Sequence, residues 1–384
     1  MFGLNDPEKV EKYYEFKHKR SILNTNFILE SVKELKKNLR AIGSDLFITM
    51  EYPHEYIKQF IRNDRKTIVI IDREISYEER QCERQIIKMA FENNIKICKT
   101  WSSTIFHIND LPIPNWKFPH LFGRFKSMIA DIQPRMPLEP PIDNELPIPD
   151  PELLLNSEKY DKELVMKLTN YVPRLIEFGY DENEFTKLED WKISEESKTH
   201  PIIPGEEYGL KRLSEVVSSP YLFQDHFYTK NKLFQDKLRK LDLYPWLSSG
   251  CISPRRLYSE LENVGTAEFK KVRGQLAFYK IDLLWKDFLK FWALKNKNSF
   301  FTSEYGVYDR DACKWENDSE ILKRFQTGTT GMPMIDALCR SLIKTGYISA
   351  RGRMIFAHYF SQDLKQDWRI GAHFFQSNML EFEP

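Results

Sequence analysis

Ten of the chain's 20 prolines crowd between Leu111 and Pro151. Each one fixes φ and removes a backbone donor, so this stretch is predicted to be an extended linker poor in regular structure. It separates two parts with different periodicities. Upstream, Asn24 to Leu39 carries Phe27, Ile28, Val32, Leu35 and Leu39 at helical spacing, with Asn24 or Thr25 as a cap and Gly43 just past the end. A short apolar run, Leu46 to Met50, precedes a second one, Thr67 to Asp72, whose β-branched residues bounded by charge predict a buried strand. Glu78 to Asn93 is amphipathic, and Ile95 to Thr100 reads as a third strand. Strand, helix, strand, helix, strand is the order of a parallel α/β sheet. Three strands are few for an open doubly wound sheet, and the chain starts with a helical stretch.

Downstream the acidic stretch reads as loops and short helices, and after about Glu207 the pattern is helical almost throughout. Ala267 to Lys295 carries a long apolar and aromatic stripe, and 318–325, 334–345, 351–364 and 369–380 read as further helices. The expected organisation is an α/β domain over 1–132, an acidic connecting region over 133–207 and a helical domain over 208–384.

The net charge of +1 conceals a segregation. Pro137 to Tyr208 has 18 acidic and 7 basic residues, whereas Thr229 to Lys295 has 14 basic and 7 acidic. Binding responds to the local patch rather than the total, so an anionic partner is compatible with a neutral chain; a solvated helical face is the plain alternative. No apolar run approaches the roughly 20 residues of a membrane span. The opening MFGLNDPEKVEKYYEF is too polar for a secretory signal. The five cysteines, Cys82, Cys98, Cys251, Cys313 and Cys339, contain no CxxC, which argues against a disulfide scaffold or a cysteine zinc site and suits an intracellular, reducing compartment.

The sequence contains no HExxH, GxSxG or phosphate-cradling GxxxxGK[ST]. Gly328-TTG-Gly331 reads as a turn into the following helix, and His358 as a core histidine. The informative region is Trp315 to Pro384, with TGTTGMPMIDALCRSLIKTGYISARGRM and SQDLKQDWRIGAHFFQSNMLEFEP, preceded by PWLSSGCISPRRLY and DLLWKDFLKFWALK. Taken alone, Trp285, Trp315 and Trp368 read as core aromatics, and Arg351, Arg353, Glu381 and Glu383 as a structural ion network.

These segments, together with FILESVKELKKNLRAIGSDLFI and TWSSTIFHINDLPIP, resemble the photolyase/cryptochrome superfamily, and most of all its DASH cryptochromes. The resemblance covers nearly the whole chain. It implies an incomplete Rossmann-like parallel sheet, a proline-rich linker and a large helical FAD-binding domain. It implies blue-light-driven repair of cyclobutane pyrimidine dimers, chiefly in single-stranded DNA, by electron transfer from reduced flavin. Asp282 stands where the family has Glu, Trp285 matches the tryptophan on which the lesion stacks, and Lys286 replaces an Arg. Arg351 and Arg353 match an N-R-x-R motif whose Asn is Ala350 here. Glu381 and Glu383 replace two aspartates at the flavin edge, while Trp315 and Trp368 match electron-relay tryptophans. The stretch that holds the pyrophosphate in the family is Lys240 to Tyr244 here; Lys240 and Tyr244, with Lys286, are expected to contact FAD, whereas Leu241 and Asp242 supply no hydroxyl. Glu74 matches a glutamate near a methenyltetrahydrofolate antenna, with a solvated helix-cap carboxylate as the simpler reading.

The chain also looks clipped relative to the family at both ends, without the first strand, the asparagine facing flavin N5 or the innermost relay tryptophan, so impaired flavin photoreduction is expected. A monomeric photoenzyme acting on dimer-containing DNA is the leading reading. The alternatives are a non-catalytic flavin photoreceptor or nucleic-acid-binding relative, and an incomplete gene product that aggregates through an exposed strand edge.

Overall fold

A computed structural model describes residues 20–61, 66–138, 169–193, 202–218, 243–266, 273–296, 315–316 and 318–382. Helix α1 (Ile22–Ala41) starts ahead of the expected cap. Ser21 Oγ accepts the Asn24 N–H at 3.1 Å, which frees the Asn24 amide to donate to the Leu380 carbonyl. At the other end Gly43, at φ 85°, lets Ser44 N–H return to the Leu39 carbonyl at 2.9 Å. Helix α2 (Pro53–Lys58) follows, then β1 (Ile68–Asp72), α3 (Tyr77–Glu92) and β2 (Lys96–Thr100).

β1 and β2 form a parallel ladder running from Ile68 opposite Lys96 to Asp72 opposite Thr100, with α3 as the crossover. Two strands form among the described residues, not the three expected. Leu46 to Thr49 joins no ladder, because side chains of α1 claim its leading end. Lys36 Nζ reaches Asp45 at 2.9 Å and also the Leu46 carbonyl, and Arg40 holds the same carboxylate. Nor is β1 buried on both faces. Ile68 and Ile70 are 57% and 67% exposed, with Cys98 opposite Ile70 also exposed, since packing covers only the Val69 and Ile71 side.

A 3-10 turn at Ile108–Asp110 leads into the proline-rich stretch, which has more order than expected: a second such turn at Asn115–Lys117, then α4 (Phe122–Met128). Helices α5 (Glu182–Ile193), α6 (Glu206–Ser218), α7 (Tyr244–Ser248), α8 (Pro254–Thr266) and α9 (Arg273–Asn296) come next. The last four are α10 (Ser319–Thr327), α11 (Pro333–Thr345), α12 (Ala350–His358) and α13 (Trp368–Asn378). Gly328, at φ 62°, ends α10, and the Asp336 carboxylate gathers the Thr330 and Gly331 N–H groups, so the glycine stretch is the expected turn. The helix expected over 351–364 stops at His358 and widens into a π turn over Tyr359–Asp363. His358 is exposed rather than a core residue, because the buried stripe of α12 runs through Gly352 and Phe356 instead.

The described residues fall into two compact units. One draws on Met1–Leu29, Arg174–Ile203 and Asn298–Pro384, and the other on Glu30–Pro173 and Pro204–Lys297. The first is centred on Phe325, Phe356, Phe360 and Phe374, with the Phe356 and Phe374 rings parallel at 5.6 Å. The second packs Trp101, Phe118, Phe125, Phe288 and Phe291, and Trp101 stacks on Phe291 at 5.7 Å. Among the described residues no helix is long and apolar enough to cross a membrane.

Candidate functional site

In the second unit, α9 carries most of the expected contacts. Its buried stripe runs Leu283, Asp287, Phe291, and its outer stripe Asp282, Trp285, Leu289. Asp282 accepts a hydrogen bond from the Tyr244 hydroxyl at 2.8 Å. The surrounding protein pushes this carboxyl above its ordinary range, and the tyrosine bond partly offsets that. The structure thus brings Asp282 and Tyr244 together. Trp285 lies flat against Phe122 of α4, with ring centroids 4.0 Å apart and planes 7° from parallel, and Phe288 stands perpendicular to it at 5.6 Å. It remains 41% exposed, so it is a surface platform rather than a core aromatic. Lys286, next along α9, is half-buried.

Asp287 is fully buried and has no counterpart among the expected site residues. Its two oxygens accept the backbone N–H groups of Ile105 and Phe106, each at 3.0 Å. Arg255 of α8 donates to the carbonyls of Ile105 at 3.2 Å and Trp101 at 2.8 Å. One carboxylate and one guanidinium therefore satisfy opposite poles of the loop after β2 and fasten it to α8 and α9. Burial drives the Asp287 carboxyl up to about 7 despite the two N–H donors. A signal existed in the sequence: Asp287 stands four residues from both Leu283 and Phe291, on the apolar stripe where a carboxylate needs a partner.

Glu74 does not cap α3, because Ser76 occupies that position. It lies 3.6 Å from Lys290 of α9 and lines a cleft of about 500 Å³ that also receives Arg73, Arg80, Arg84 and Lys99. Burial raises its carboxyl above the usual range.

The remaining expected residues belong to the first unit. Arg351, on the first turn of α12, is exposed and has no ionic partner among the described residues. Arg353 turns inward, donates through Nε to the Ile348 carbonyl at 3.1 Å and pairs with Glu381. The Glu381 side chain is only 1% exposed. The chain after α13 is held there by the Leu380 N–H, which donates to the Gly346 carbonyl at 2.9 Å. Trp315 is half-buried ahead of α10, and Trp368 is half-buried as the first residue of α13, capped by Asp367. Lys240 and Glu383 lie outside the described residues, as do Leu241 and Asp242; of Ala350 only the backbone is described, as the first residue of α12.

The donor set of this unit fits a flavin dinucleotide. Arg351 at the α12 N-terminus offers an exposed cation suited to phosphate, and the Arg353–Glu381 pair offers a fixed donor and acceptor suited to the polar edge of a flavin ring.

Comparison with known proteins points the same way. Residues 4–142 match the family model described as DNA photolyase, and residues 279–384 match the FAD binding domain of DNA photolyase. Cryptochrome DASH of Gloeobacter violaceus is 28% identical over 98% of this chain and 70% of its own length. The chloroplastic/mitochondrial cryptochrome DASH of Ostreococcus tauri is 29% identical over 93% of this chain and 65% of its own length. Among solved structures, the Synechocystis cryptochrome superposes with a TM-score of 0.74 at 26% identity, covering 95% of this chain and 69% of that one. A class III photolyase from Agrobacterium tumefaciens shares the fold, with a TM-score of 0.71 at 17% identity, over 94% of this chain and 68% of that one. With an α/β part, a helical FAD-binding domain and the DASH relatives in place, the chain belongs to the photolyase/cryptochrome superfamily.

Proposed function

We propose that this protein binds FAD and uses blue light to split cyclobutane pyrimidine dimers in DNA, with single strands as the preferred substrate. The observation that carries the reading is the outer stripe of α9, where a half-exposed tryptophan and a carboxylate one turn earlier share one face. An extrahelical pyrimidine pair needs an aromatic surface to replace its lost stacking and an acceptor for its N–H groups. When bound, FAD supplies the light-driven electron. The protein's own residues do the rest. Trp285 stacks the lesion, Asp282 accepts from it, and Tyr244 holds that carboxylate in place. Arg351 binds phosphate, while Arg353 and Glu381 orient the flavin edge from a buried position. Trp315 and Trp368 serve as the outer and middle members of an electron relay whose photoreduction of the flavin is impaired. Glu74 lines the cleft proposed for a methenyltetrahydrofolate antenna. DNA is the partner, and the protein acts as a monomer.

The test is direct. Purified protein reconstituted with FAD should show oxidised-flavin absorption and, once reduced, remove dimers from an irradiated dT oligomer under blue light. Absence of flavin after reconstitution would overturn the reading. A second reading, a family member that binds DNA without repairing it, draws support from Ala350, where the resembling motif has an amide. It predicts salt-sensitive DNA binding and no loss of dimers in light.

A further inference from the structure

Trp285 does not stand alone on the outer stripe of α9. Phe122 covers one of its faces at 4.0 Å and 7°, and Phe288 stands perpendicular to it at 85°. The 41% of Trp285 left exposed therefore falls on the opposite face and the outer rim. Leu289, one turn along α9, and Leu121, next to Phe122 in the chain, are 51% and 62% exposed. Phe122 is itself steadied from below. It meets Phe125 at 6.3 Å and Phe288 at 5.8 Å, and Phe125 is fully buried. An indole on the surface of a helix normally samples several rotamers, whereas one clamped between a parallel ring and a perpendicular one holds a single plane.

We infer that Phe122 is a positioning residue for Trp285: it backs the indole so that the outer face is presented in a fixed plane, forming a two-ring pedestal for a flipped-out pyrimidine of single-stranded DNA. The inference rests on the lesion-stacking role proposed for Trp285. A nucleobase is the occupant because the exposed face is flat and aromatic and because α9 lies in the stretch of the chain with twice as many basic as acidic residues, which favours a polyanion. Lys126, one turn after Phe122 on α4, adds an exposed cation to that side.

The experiment compares parent, Phe122→Leu, Phe122→Tyr and Trp285→Leu protein, each loaded with FAD, titrated with a dT oligomer carrying one cyclobutane dimer. Binding is followed by anisotropy of the labelled oligomer and by quenching of tryptophan emission. Phe122→Leu should weaken binding about three- to ten-fold, the range of an aromatic pair, and reduce the part of the quenching that Trp285→Leu abolishes. Phe122→Tyr, which keeps the ring, should restore both. Unchanged affinity and quenching in Phe122→Leu would overturn the inference. Tighter binding would also overturn it, by showing that Phe122 competes with the base for the indole. Should Phe122→Leu fail to fold, Phe122→His against Phe122→Met reads the same contrast between a ring and a flexible chain. If Trp285→Leu itself binds like the parent, the lesion-contact role falls with the pedestal; if only Phe122→Leu is silent, the pedestal falls alone.

Discussion

Asp287 is the group whose titration should dominate the stability of the α9 packing. Its carboxyl is driven from 3.8 to about 7 by burial, while two backbone N–H donors act in the opposite sense. Because the folded value is raised, the folded protein binds this proton more tightly than the unfolded chain. The stabilising contribution is therefore complete below pH 3.8 and is lost as pH rises through about 7. The whole swing is about 4 kcal/mol at 1.36 kcal/mol per pH unit, and about 3 kcal/mol of it falls between pH 5 and 8. Asp287→Asn removes the titration while keeping one acceptor oxygen. Thermal or urea unfolding of both proteins across that range should show the parent losing stability relative to the variant as pH rises. Amide exchange at Ile105 and Phe106, the two N–H groups the carboxylate receives, should report the same trend locally. Comparison with the variant cancels every other titrating group. If the two curves stay parallel from pH 5 to 8, the carboxyl is not perturbed as described and the burial argument fails.

Four further outcomes are expected. Arg353→Ala removes one cationic partner of the buried Glu381 carboxylate and should cost about 1–3 kcal/mol in urea unfolding, whereas Glu381→Gln with Arg353→Met together should recover much of it. Tyr244→Phe removes the bond that lowers the Asp282 carboxyl, so the pH midpoint for dimer binding should move up, as read by anisotropy between pH 4 and 8. Gly209→Ala in α6 places a methyl 2.7 Å from Trp246 Cδ1, and the overpacking should lower stability by about 1–3 kcal/mol in thermal melts. Burial pushes the Cys339 thiol up to about 12, so mass spectrometry after brief alkylation of folded protein should find exposed Cys98 modified and Cys339 untouched.

The helices were legible because their evidence is local. The apolar spacing of α1, α3, α11 and α13, and the glycines that end α1 and α10, each lie within a turn or two of what they determine. The parallel β1–β2 pair was legible for the same reason, through β-branched runs separated by an amphipathic helix. The strand expected at Leu46–Met50 was not realised, because its leading backbone and Asp45 are taken by Lys36 and Arg40 from α1, and periodicity carries no information about that competition. His358 failed similarly. Its neighbours Phe356 and Phe360 are buried, yet a helix turns 100° per residue and leaves it outside.

By itself the sequence determined the class of element in most segments, the segregation of charge and the family likeness of the C-terminal motifs. All of these are properties of neighbouring residues or of ordered strings. Only tertiary structure decided that Tyr244 meets Asp282, that Arg353 rather than Arg351 takes Glu381, that Phe122 lies under Trp285, and that Asp287 receives the N–H groups of Ile105 and Phe106. Those partners are separated by between 28 and 182 positions in the chain. Hydrogen bonding, ring stacking and desolvation act over a few ångströms of space, so which groups feel one another is settled by how the helices pack and not by the order of residues along them.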